Sequence, residues 1–136
     1  MRLRVNLAVY LSSTTAEEND ISNTTRQLLM DGFDEGGAQR VKVPVSTTNM
    51  EVTLRGLAGA GFIFLRSLAV DDTLTPVTLQ IRLGDSSNDP IALTPMGTSK
   101  EGVMLLTTES VDSIYVTNTS TTVAMYLHIV SVGDAP

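Results

Sequence analysis

Apolar residues recur in this chain with a period of two, and that spacing restricts its fold more than any other feature. The clearest case is residues 110–131. Ser-Val-Asp-Ser-Ile-Tyr-Val is followed by Thr-Asn-Thr-Ser-Thr-Thr and then by Val-Ala-Met-Tyr-Leu-His-Ile-Val-Ser. In the last run Val123, Met125, Leu127 and Ile129 share one parity, and Ala124, Tyr126 and His128 share the other. Successive side chains of a strand point to opposite faces, so this pattern places an apolar face inward and a milder face outward. Two such runs around a short polar segment read as a β-hairpin, which would bring Tyr115 and Tyr126 opposite one another.

The same device recurs along the chain. Leu3, Val5, Leu7, Val9 and Leu11 alternate with Arg2, Arg4, Asn6, Ala8 and Tyr10, which predicts a first strand rather than a secretory leader. Val41, Val43 and Val45 alternate with Arg40, Lys42 and Pro44, the proline marking an edge or a bulge. Met50, Val52 and Leu54 follow, then the short apolar run 62–65. Next come Val77, Leu79, Ile81 and Leu83, a brief Ile91-Ala92-Leu93, and the run 103–108. About nine strands are expected, at the spacing of a sandwich or barrel, and helical βαβ periodicity is missing. Threonine is twice as frequent as lysine and arginine together, which suits half-exposed sheet surfaces. The expectation is a single all-β domain over residues 1–136, an antiparallel β-sandwich of jelly-roll type.

Residues 12–39 depart from this pattern and are expected to form one long irregular arm or loop after the first strand. Within it, residues 25–31 suit one short helix, capped by Thr24 and stopped by Gly32. A loop of that length inside a compact domain is often functional, for instance as an arm that orders on a neighbouring subunit.

The 136 residues suffice for one domain with a sizeable core. Charged residues make up 18% and the net charge is -6, with scattered cations, which argues against nucleic acid and anionic membranes as partners. There is no cysteine, hence neither a disulfide nor a thiolate metal site. The longest apolar run, 57–65, is too short to span a bilayer as a helix. A soluble protein without a targeting segment is expected.

Residues able to carry chemistry are few. His128 is the only histidine, so no two-histidine metal site is possible, and a triad with Asp112 lacks the surrounding Gly-x-Ser-x-Gly. Asp31, Asp34 and Glu35 offer hard oxygen ligands but not at EF-hand spacing. Asp71-Asp72 and residues 85–89 read as turns whose Asp and Asn side chains bond the local backbone. Gly56 to Gly61 lacks the Lys-Ser/Thr of a phosphate loop and is better explained by close strand packing. Sequons at Asn23 and Asn118 matter only in a secreted chain. No catalytic, cofactor-binding or metal residue is assigned, no cofactor is expected, and the chain is not expected to be an enzyme.

The order of phrases over residues 41–132 carries a resemblance. Met-Glu-Val-Thr-Leu-Arg-Gly-Leu-Ala-Gly-Ala-Gly-Phe-Ile-Phe-Leu precedes Pro-Val-Thr-Leu-Gln-Ile-Arg-Leu-Gly. Pro-Ile-Ala-Leu-Thr-Pro-Met-Gly and Gly-Val-Met-Leu-Leu come next, and Ser-Ile-Tyr-Val-Thr-Asn-Thr-Ser-Thr-Thr-Val-Ala-Met-Tyr-Leu closes the series. This resembles the small β-sandwich modules of tailed-bacteriophage virions, found in capsid decoration and neck or tail accessory proteins. The resemblance covers the last two-thirds of the chain and leaves residues 12–39 unaccounted for. It implies a structural virion protein with no catalytic residue, assembled in the bacterial host cytoplasm. It also implies docking through surface contacts on major capsid or neck/tail proteins, and homo-oligomers, trimers favoured. The alternative is a glycan- or receptor-binding module of a phage tail, with a cleft lined by Tyr115, Tyr126 or residues 85–89.

Overall fold

Alternating β-branched and aliphatic residues form strands throughout, and no helix occurs among the described residues. A computed structural model describes residues 3–9, 24–30, 35–54, 57–96 and 100–134. The chain divides into two compact units, Met1–Phe33 and Asp34–Pro136.

In the first unit β1 (Leu3–Val9) pairs antiparallel with β2 (Thr24–Met30), in a register running from Leu3 opposite Met30 to Val9 opposite Thr24. The short helix expected at residues 25–31 is therefore replaced, over 25–30, by a strand. Seven residues are too few for a stable isolated helix, whereas pairing with β1 supplies a ladder of backbone hydrogen bonds. The irregular segment expected over 12–39 is narrowed accordingly, because β2 and the start of the next strand both lie within it. Residues 10–23 and 31–34 lie outside the described residues.

The second unit contains eight strands: β3 (Glu35–Val43), β4 (Thr47–Thr53), β5 (Gly59–Ala69), β6 (Leu79–Leu83), β7 (Ile91–Leu93), β8 (Glu101–Val111), β9 (Ser113–Asn118) and β10 (Met125–Asp134). With β1 and β2 the described strands number ten, one more than expected, the addition being β2. Two four-stranded antiparallel sheets result, in the orders β3-β10-β5-β8 and β4-β9-β6-β7. The pairs β3·β10, β4·β9, β5·β8 and β6·β7 are nested, as if the strands formed one long hairpin doubled back between β6 and β7. Alternate pairs of that hairpin go to different sheets.

Both sheets contribute to one core, which makes the unit sandwich-like. Ile63, Leu65, Met125, Leu127 and Ile129 from one sheet join Val52, Leu79, Ile81, Ile114 and Val116 from the other in a single buried cluster. At about 25 cal/mol per Å² of apolar surface removed from water, burial of such side chains is the main favourable contribution to folding. Pro44 follows directly after β3, an edge strand, where its missing N–H interrupts no ladder.

The expected hairpin over residues 110–131 does not form. Strands β9 and β10 belong to different sheets, and the connection between them crosses from one sheet to the other. The expected inward set is nevertheless buried: Ile114, Val116, Val123, Met125, Leu127 and Ile129. Asn118, fully buried, fixes the crossing. Its Nδ2 donates to the carbonyls of Val123 (2.9 Å) and Pro44 (3.2 Å), and its Oδ1 accepts from the Ser120 amide (3.0 Å).

Candidate functional site

The sandwich-like unit has two outward faces of different chemistry. On the β4-β9-β6-β7 sheet, Tyr115 of β9 stands in register between Glu51 of β4 and Arg82 of β6. Burial, then the charges of Glu51, Asp85 and Asp112, push its phenol up from the ordinary tyrosine value. Ser113 Oγ donates to Glu51 Oε1 at 3.2 Å. Arg82 Nη1 donates to Asn49 Oδ1 at 3.1 Å, and the Asn49 amide donates to Thr117 Oγ1 at 3.0 Å. These bonds hold Asn49 in a left-handed conformation, φ 47°, at a break in the β4 register. The polar groups of this face are largely paired among themselves.

The β3-β10-β5-β8 sheet presents a cationic row beside an apolar one. Arg40, His128 and Arg66 are direct neighbours across β3, β10 and β5. The Arg40 guanidinium lies 4.5 Å from the centroid of the Tyr126 ring. Arg66 Nη2 donates to Glu101 Oε1 in an ion pair. The hydrogen bond to Glu101 raises the Arg66 value, and the same bond lowers that of Glu101. Burial, then the charges of Arg66 and Arg40, push the His128 imidazole below its ordinary value, with Glu101 opposing. Asp112 is not among the charges acting on His128. Next to this row the register aligns Ala38, Val130, Phe64 and Leu105 across all four strands.

The other candidate residues are engaged locally or separated. Asp71 accepts from the Thr73 hydroxyl (2.7 Å) and amide (3.0 Å), and Asp85 accepts likewise from Ser87 (2.7 Å and 2.8 Å). These bonds hold both carboxyls below the usual range: the hydroxyl bond is the larger cause at Asp71, the amide bond at Asp85. Asp31, Asp34 and Asn23 lie outside the described residues, and Glu35 opens β3. The Asn118 side chain is buried and bonded, which removes that sequon from the surface. Tyr115 and Tyr126 lie in different sheets, so they neither oppose one another nor line one sugar cleft. Gly59 opens β5 where an added Cβ would sit 2.8 Å from Ser110 Cα, in keeping with close strand packing. Among the described residues no three histidine, aspartate or glutamate side chains are gathered closely enough to hold a metal ion. No described helix is long and apolar enough to cross a membrane.

Two features remain that sequence reading did not single out. One is an open cleft of about 760 Å³ between the edge strands β3 and β4, lined by residues 38–42 and 50–53. Gln39 Nε2 spans it by donating to the Thr53 carbonyl at 3.2 Å. The other is the edge strand β8, where Val103 is 60% and Leu105 43% exposed. Its run Val103-Met104-Leu105-Leu106 breaks the period-two rule, and that unbroken apolarity is the signal available in the sequence. No protein-family model matches the chain, and no curated protein matches it. Chemically, the arrangement offers surfaces for contact: a paired polar face, a part-cationic and part-apolar face, and backbone edges able to add a strand.

Proposed function

We propose that this chain is a non-enzymatic structural protein of a bacteriophage virion, an accessory or decoration subunit that docks on the head and stabilises it. The observation that carries this reading is the nested strand order of the second unit. Eight strands nested as one doubled hairpin, with alternate pairs in opposite sheets, support reading the unit as a jelly roll, an architecture used by viral capsid modules. Fold alone does not assign function. The surface supports the reading independently, because exposed apolar side chains sit on a sheet edge and the polar side chains of the other outward face mostly satisfy one another. Its partners on this reading are other copies of the chain and the major capsid protein, with neck or tail proteins as the next choice. Its location is the assembled particle, and it needs no cofactor.

Mass spectrometry of purified virions from the phage or prophage that encodes the chain tests this. The expected result is the chain in many copies per particle, with electron microscopy placing an antibody label on the head. Particles that lack the chain would sink the reading, and a label confined to the tail would move the docking site there.

A further inference from the structure

The two sheets have four edges, and three are protected against pairing with another chain. Strand β3 carries Gly36, Gly37, Arg40 and Lys42 and runs into Pro44. Strand β4 is interrupted between Thr47 and Met50 and carries Glu51. Strand β7 has three residues and lies between Pro90 and Pro95. Glycine, proline, charge, irregular register and shortness are the usual means of blunting an edge. Strand β8 has none of them at its centre. It pairs with β5 in unbroken register from Glu101 to Thr107, and among the described residues β5 is its sole strand partner. Beyond Thr107 the register shifts, and Ser110 turns left-handed at φ 52°. The regular edge is therefore Glu101-Gly102-Val103-Met104-Leu105-Leu106-Thr107, whose midpoint is Met104.

We propose that this edge is a homodimer interface, in which β8 pairs antiparallel with β8 of a second copy about a two-fold axis at Met104. The choice of partner follows from the segment's self-complementarity. Centred on Met104, the pairing overlaps the whole regular stretch. It sets Val103 opposite Leu105 of the other copy, and Leu105 opposite its Val103, so both exposed apolar side chains gain apolar partners twice. Glu101 falls opposite Thr107, which puts no two like charges across the axis. On the other parity Gly102 falls opposite Leu106, and the space over Gly102 is taken by Ser67 and Leu93 of its own chain. Centring on Leu105 instead sets Val103 against Thr107, and centring on Val103 sets Leu105 against Glu101. Only the Met104 register matches every apolar residue of the exposed row. The product is a continuous eight-stranded sheet, β3-β10-β5-β8 joined to its two-fold mate, within the size range of open sheets. This two-fold pairing departs from the trimer that the phage resemblance favours. It goes beyond the docking reading and does not rest on it.

The chain has no native cysteine, so engineered thiols report the register directly. Directly opposed residues of an antiparallel pair have Cα atoms about 4.5–5.5 Å apart, within disulfide reach, whereas diagonal neighbours are about 7–8 Å apart. Sedimentation of the full chain is expected to show a dimer, and V103K and L105K are expected to be monomers with melting temperatures near that of the parent. Mixing Val103→Cys protein with Leu105→Cys protein under mild oxidation should give a disulfide-linked dimer that neither variant gives alone. A parent chain that sediments as a monomer, or lysine variants that stay dimeric, would overturn the proposal. Cross-linking within the Leu105→Cys sample alone would overturn this register. Virions lacking the chain would leave the dimer standing while removing the docking reading, and a monomeric chain on virions would do the reverse.

Discussion

Asn118 is the residue on which most of the crossing between sheets depends. It is fully buried, yet its amide is bonded to two carbonyls, one in the 119–124 connection and one at the β3–β4 corner. Asn118→Ala would leave those carbonyls and the Ser120 amide without their partner in a buried setting. The expected loss is about 2–3 kcal/mol in urea unfolding with an unchanged slope. A loss near zero would show that the backbone alone holds the crossing. Ser67 presents the opposite sign. Its hydroxyl is buried on the inward face of β5 with no hydrogen-bond partner among the described residues, close to Gly102 and opposite Leu127. Ser67→Ala should therefore stabilise the fold by about 1 kcal/mol. Gly102→Ala should destabilise it by about 1–3 kcal/mol, because the new Cβ would lie 2.7 Å from Ser67 Oγ and 3.2 Å from Leu93 Cγ. With Ser67→Ala present that penalty should fall, so a double-mutant cycle should give a favourable coupling between the two sites. A penalty unchanged by Ser67→Ala would assign the clash to Leu93 alone.

At the level of strands, β10 shows what period-two reading can and cannot deliver. Parity was legible: Met125, Leu127 and Ile129 are core, while Tyr126 and His128 face outward. Pairing was not, because a six-residue polar connection serves a hairpin and a crossing between sheets equally well. The partners of β9 and β10 are set by β4 and β3, far away in sequence. The same limit applies to β2, whose local sequence admits a helix until β1 supplies a ladder. The exposed apolar edge of β8 was half visible, since Val103 to Leu106 is apolar on both parities, but only the sheet order shows that the strand is an edge. The position of His128 on a central strand, between arginines on both neighbours, has a thermodynamic consequence. Its folded-state value lies below the ordinary 6.5 because burial and those charges disfavour the imidazolium. As pH falls through the ordinary 6.5 the unfolded chain takes up the proton first. Stability should be fully present above it and lost as pH drops through the folded value. Melting temperatures between about pH 7 and about pH 5 should fall in the parent and fall less in His128→Gln. The carboxyls of Asp71, Asp85 and Glu101, held low, act in a separate and more acidic window. Equal slopes in parent and variant above that window would remove His128 as the cause.

Over the whole second unit, the nested order of pairs fixes which contacts are local and which are remote. The innermost pair β6·β7 closes across residues 84–90, where Gly84 adopts φ 75° and Asp85 bonds the Ser87 amide. The outermost pair β3·β10 joins Val43 to Met125 and Glu35 to Gly133, nearly the full length of the unit. Closing a long loop before any contact rewards it slows folding, so a fold dominated by such pairs should refold in about milliseconds to seconds. The order of nesting also predicts which strands are formed at the rate-limiting step. Ile81 of β6 packs in the core beside the short turn, opposite Val116 and Ile91. Val43 of β3, equally buried, belongs to the pair with the greatest loop to close. Truncation of either to alanine should destabilise the native state by about 2–4 kcal/mol. For Ile81→Ala more than about half of that loss should appear as slower refolding. For Val43→Ala most of it should appear as faster unfolding. Stopped-flow chevrons of the two variants separate these limbs. The reverse assignment, with Val43 formed early and Ile81 late, would mean that the chain closes from its ends and that nesting does not order its folding.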